Sequence, residues 1–106
     1  GTAPGVYDGT PVLNYERVGR IGKRETPLVV HGGTGLSPEA FHKLIALGAA
    51  KVNISTALKQ VYLGESRRQL ENPKISPVDF DRAVELAATD LMEKHIRLFA
   101  GEDIAL

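Results

Sequence analysis

The apolar positions fall into short runs whose spacing alternates between two kinds along the chain. Asn14 can cap a short helix running to about Arg24, with Tyr15, Val18, Ile21 and Gly22 on one face. Gly19 and Gly22 lie inside that pattern, and each costs about 1 kcal/mol against alanine in a helix. Gly9-Thr10-Pro11 before it reads as a turn, and Pro27 after it stops any helix. Leu28-Val29-Val30 is then a continuous aliphatic run, the pattern of a strand buried on both faces of a parallel sheet. Ser37-Pro38 starts a second helix, with Ser as cap and Pro at the first helical position; Phe41, Leu44 and Ile45 form its stripe and Gly48 ends it. Ala50-Lys51-Val52-Asn53-Ile54 is a second, weaker strand. From Ser55 a helix runs to about Leu70 with Leu58, Val61 and Tyr62 inward, until Asn72-Pro73 breaks it. Ser76-Pro77-Val78-Asp79 starts the last helix, with Asp79 where a capping box carries Glu. Phe80, Ala83, Val84, Ala87, Leu91, His95 and Leu98 make its apolar stripe down to about Phe99. Gly101 closes it, leaving a loosely held tail from Glu102 to Leu106.

Strands alternating with helices indicate an α/β fold with parallel strands. Two short parallel strands cannot form a sheet covered on both faces, and a complete (β/α)8 barrel needs roughly 250 residues. The 106 residues therefore read as the last two to three βα units of such a barrel plus C-terminal helices. On this reading they are part of one domain and not an independent one. The first residue is Gly1 and the sole methionine is Met92, which fits a piece of a longer polypeptide.

Composition narrows the chemistry further. Hydrophobic residues make up 42% and charged residues 25%, as in a globular chain. Thirteen basic residues balance thirteen acidic ones, so no overall field draws the chain to nucleic acid or anionic lipid. No apolar run approaches the ~20 residues of a membrane span, and no signal peptide is apparent. The absence of cysteine removes disulfides, thiolate catalysis and thiolate-bound metals.

In parallel α/β folds ligands bind at the C-terminal ends of strands. The first such end is His31-Gly32-Gly33-Thr34-Gly35. Its glycines let backbone N–H groups approach an anion, Thr34 adds a hydroxyl, and His31 can bind a metal or move a proton. A tight turn beside a hydrogen-bonded histidine accounts for the same pattern. The second end is Asn53-Ile54-Ser55-Thr56, where Ser55 and Thr56 suit either a plain helix cap or an anion site. Two neighbouring strand ends built this way suggest a phosphate held between them.

Val29 to Ser37 (VVHGGTGLS) and Leu44 to Thr56 (LIALGAAKVNIST) closely resemble the class II, zinc-dependent fructose- and tagatose-bisphosphate aldolases. Gly1 to Tyr7 (GTAPGVY), Pro77-Val78-Asp79-Phe80 and the long last helix share that resemblance. It implies the C-terminal two-fifths of a (β/α)8 barrel, entered after the sixth strand. It implies that His31 is a Zn2+ ligand. Gly32, Thr34 and Gly5 would contact the phosphate of dihydroxyacetone phosphate, with Gly33 shaping the loop. Asn53 would contact the bound ketose, and Ser55 and Thr56 would form the second phosphate-binding turn. The resemblance further implies a phosphorylated sugar substrate, a cytoplasmic homo-oligomer (dimer or tetramer), and an aspartate acid/base outside these residues, so that the segment alone is inactive. The expected reaction is reversible cleavage of a ketose 1,6-bisphosphate to dihydroxyacetone phosphate and glyceraldehyde 3-phosphate.

One position departs from the pattern. Where the family carries a zinc-ligand histidine in Gly-Thr-Ala-His-Gly, this chain has Pro4, which offers no donor atom. A catalytic zinc site keeps three protein ligands and an open position, so a phosphosugar-binding relative with a lost or altered metal site is the alternative. His42, inside a helix, and His95, on an apolar stripe, are expected to be structural. Arg67-Arg68, with Lys59 upstream, reads as a solvated helix face.

Overall fold

The computed structural model describes residues 12–23 and 25–106. Their order is α1 (Tyr15–Gly22), β1 (Leu28–Val30), α2 (Pro38–Ala46), β2 (Ala49–Val52), α3 (Thr56–Gln69) and α4 (Pro77–Phe99). The expected end of α1 at Arg24 and the Gly9–Pro11 turn fall outside the described residues.

Local chemistry starts three of the four helices. Asn14 Oδ1 accepts from Arg17 N at 3.0 Å, Ser37 Oγ from Ala40 N at 3.1 Å and Ser76 Oγ from Asp79 N at 3.1 Å. Each satisfies one of the N–H groups that a helix leaves unpaired at its start. Gly48 (φ +109°) and Gly101 (φ +100°) take the left-handed conformation just past α2 and α4, the geometry that glycine adopts without a Cβ penalty.

The two strands pair in parallel, with Leu28 opposite Ala49, Val29 opposite Lys51 and Val30 opposite Val52, and one irregularity between Leu28 and Val29. The second strand is thus Ala49–Val52, one residue earlier than its sequence pattern indicated, and Asn53 and Ile54 belong to the loop beyond it. On one face Val30 is buried with α2, whereas Val29 on the opposite face is 43% exposed. The expectation of a strand covered on both faces therefore fails within the described residues: alternation along the strand gives α2 only one face to cover.

Val30, Leu36, Ala40, Phe41, Leu44, Ala49 and Leu98 form the core, with Val52, Ile54, Phe99 and Ile104 packed around it. Phe41 and Leu98 are completely buried. The C-terminal end of α4 closes over α2 here, its Phe99 ring centred 5.1 Å from that of Phe41. The tail is held more firmly than its composition indicated. Ile104 packs against the core, Glu102 N donates to Arg97 O at 3.1 Å, and Arg97 Nε donates to Glu102 Oε2 at 2.8 Å.

α3 lies along α4. Leu58 and Val61 are half-buried, but Tyr62 is 52% exposed, against the inward position that the spacing predicted. α4 supplies a single neighbouring surface, so the edge of the α3 stripe stays uncovered. α1 docks where the α2–β2 turn passes Gly22, so closely that a Cβ there would collide with the Leu47 carbonyl.

Candidate functional site

The C-terminal ends of β1 and β2 lie side by side, and three hydrogen bonds join the loops that leave them. Asn53 N donates to Val30 O at 2.9 Å and continues the ladder by one rung. The Asn53 side-chain amide lies 3.1 Å from His31 Nδ1. Ala57 N, at the start of α3, donates to Thr34 Oγ1 at 2.9 Å. Two segments more than twenty residues apart thus behave as one loop pair.

The glycines of the first loop have different tasks. Gly32 (φ +68°) and Gly35 (φ +90°) supply left-handed backbone. Gly33 is buried, and a Cβ on it would lie 2.8 Å from Ile54 Cδ1, 3.2 Å from Phe41 Cε1 and 3.3 Å from Val52 Cγ1. Its lack of a side chain lets the loop pack on the core, in keeping with a shaping role. Gly33 O accepts from Leu36 N at 3.2 Å and tightens the turn.

Ser55 holds the N-cap position of α3 but makes no side-chain cap bond, its backbone being turned to φ −124°, ψ −58°. The expected local cap is replaced by Thr34, from the neighbouring loop. Nothing in the local sequence signals this, because the partner lies 23 residues away. Ser55 instead lines an open cleft of about 540 Å3 together with His31, Asn53, Met92, Ile96 and Phe99. Gly32, Thr34 and Thr56 border the same loops without forming the cleft wall. Gly5 and Pro4 lie outside the described residues.

The electrostatics suit an anion. The first turns of α1, α2 and α4 carry Glu16, Glu39 and Asp79, whereas that of α3 carries no acidic residue. The positive end of the α3 dipole is therefore not neutralised from within its own first turn.

The His31–Asn53 contact has two chemical forms, since an amide exchanges its N and O by rotating 180°. When the amide N–H donates to Nδ1, neutral His31 carries its proton on Nε2. When the amide oxygen accepts from Nδ1–H, the ring lone pair is on Nε2, the form in which that nitrogen ligates a metal. Either form fixes the ring's orientation.

The other two histidines are structural, as expected. His42 Nε2–H donates to Leu98 O at 2.9 Å. His95 is buried edge-on to Phe41 and Phe99, with Nδ1–H donating to Leu91 O at 2.8 Å, although it also borders the cleft. Among the described residues no three His, Asp or Glu side chains converge as a metal would require. Arg67 and Arg68 are exposed. Arg68 spends itself on Glu65, at 2.6 and 3.1 Å within α3. Its guanidinium, with Gln69 beside it, holds the Glu65 carboxyl below the ordinary carboxylate range, and Glu65 in turn raises Arg68.

The family described as fructose-bisphosphate aldolase class-II matches residues 1–103. Among solved structures the chain is similar to the YdjI aldolase from Escherichia coli K12, at 34% identity and a TM-score of 0.75. The alignment covers 84% of this chain and 34% of that one, so the chain spans about a third of that protein's length.

Proposed function

Because the chain belongs to the class II fructose-bisphosphate aldolase family, we propose that it supplies the phosphate-binding side of an aldolase active site, as the C-terminal part of a (β/α)8 barrel. The joined strand-end loops carry this reading: Thr34 Oγ1 of the first loop accepts from Ala57 N at the start of α3, and Ser55, which makes no cap bond of its own, lines the cleft with His31 and Asn53. The ligand is a phosphorylated sugar. Its phosphate sits between the Gly32–Gly35 loop and the Ser55–Thr56 turn, the two segments that the Ala57–Thr34 bond holds together. The Asn53 amide, beside His31, would hold the ketose oxygens near the reacting carbons. Hydrogen bonds in a site of this kind orient the C–C bond for cleavage to dihydroxyacetone phosphate and glyceraldehyde 3-phosphate.

The described residues fit the zinc of this family only in part. His31 offers one nitrogen, its ring set by Asn53, and the remaining ligands and the acid/base come from elsewhere in the full chain. A bound divalent cation would polarise the substrate carbonyl and stabilise negative charge on its oxygen. Pro4 favours a second reading, in which the phosphate clamp persists while the metal site is altered. No described helix is long and apolar enough to cross a membrane. The homo-oligomer implied by the family belongs to the same proposal.

The test is cleavage of fructose and tagatose 1,6-bisphosphates by the full chain, before and after treatment with a chelator. Cleavage that the chelator abolishes supports the aldolase. Binding of the phosphosugar without cleavage, indifferent to the chelator, supports the second reading. Neither binding nor cleavage overturns both.

A further inference from the structure

The cap on α3 comes from the wrong place for ordinary helix chemistry, and this separates two hydroxyls that look equivalent in sequence. Ser55 stands at the N-cap and could accept from the first-turn N–H groups, as Ser37 and Ser76 do for their own helices. Instead the Ala57 N–H is taken by Thr34 Oγ1, while Ser55 makes no side-chain cap bond and lines the cleft with His31 and Asn53. A hydroxyl carries one hydrogen and two lone pairs. Thr34 spends a lone pair on α3 and keeps its hydrogen to donate, while Ser55 is relieved of capping.

We propose that Thr34 is a positioning residue: by capping α3 across the loops it sets the distance between the Gly-rich loop and the Ser55–Thr56 turn, and so leaves Ser55 to meet the ligand. This rests on the phosphate-binding reading above and adds a division of labour to it. The two turns then form a unit, so a ligand that braces one also braces the other. Loop binding and the order of the first turn of α3 are linked in both directions.

The test uses the full chain with Thr34→Val, Thr34→Ser and Ser55→Ala. Two quantities are read: hydrogen exchange at the Ala57 amide without ligand, and affinity for dihydroxyacetone phosphate. Thr34→Val keeps the shape and removes the hydroxyl. It should speed exchange at Ala57 by about 2- to 30-fold, the range that corresponds to loss of a helix cap, and weaken binding. Thr34→Ser should restore both. Ser55→Ala should weaken binding while leaving exchange at Ala57 unchanged, which a merely structural role for both hydroxyls would not produce. The proposal is overturned if Thr34→Val leaves either quantity at its wild-type value, or if Ser55→Ala speeds exchange at Ala57. Should the wild-type chain fail to bind dihydroxyacetone phosphate at all, the phosphate reading itself fails and this role falls with it. Wild-type binding that Thr34→Val does not change removes this role alone.

Discussion

His31 and Asn53 show what a single side-chain contact does for the site. Each is recognisable in the sequence as the polar residue leaving a strand, yet their meeting at 3.1 Å depends on the two strands being parallel neighbours. Partners of this kind fix the tautomer and direction of a ligating histidine, and their loss typically costs about 10- to 100-fold in metal affinity. If His31 ligates zinc as proposed, Asn53→Ala in the full chain should weaken zinc binding by about that factor, as read by competition with a coloured chelator. Unchanged affinity would mean that His31 is oriented by something other than Asn53. The three loop glycines carry a related lesson. They look alike in sequence, but Gly32 and Gly35 serve backbone conformation, whereas Gly33 serves space next to Ile54, Phe41 and Val52. Only the packed core distinguishes them.

At the scale of elements, most boundaries were legible because the signals are local. The Asn14, Ser37 and Ser76 caps stand where the sequence placed them, as do the glycines beyond α2 and α4. What escaped was set by distant partners: the cap of α3, the exposed Tyr62, and the reason for glycines in α1. Gly22 faces the backbone of Leu47 and Gly48, so a helix-weakening residue is what lets α1 dock. Gly64, inside α3, has no heavy atom within 4 Å of a would-be Cβ. The two should respond oppositely to alanine. Gly22→Ala should destabilise by about 1–3 kcal/mol, as overpacking does, and Gly64→Ala should stabilise by about 1 kcal/mol through helix propensity. Denaturant unfolding of the full chain measures both, and destabilisation by Gly64→Ala would contradict the open surroundings described for it.

At the scale of the whole molecule, the described residues hold a small core under α2 and the end of α4, beside a two-stranded sheet. Tyr62, Leu63, Met92 and Ile96 stay substantially exposed on α3 and α4, and Val29 on the sheet. A two-stranded parallel sheet with such surfaces is a weak independent unit. Residues 1–106 produced alone should therefore associate or melt over a broad range. A sharp, concentration-independent two-state transition would contradict their being part of a larger barrel. The α/β class was legible from the alternation of strand and helix, and the aldolase family from the two strand-end loops and their resemblance to it. A metal site was not: among the described residues no three His, Asp or Glu side chains converge, and Pro4 stands where the resemblance led a ligand to be expected.

A phosphate held between the two joined loops must touch both of them at once. The most direct measurement follows backbone amide resonances of the full chain while dihydroxyacetone phosphate is added. Saturable shifts concentrated at Gly32 to Gly35 and at Ser55 to Leu58 are expected. Shifts confined to other parts of the chain, or none at all, would contradict it.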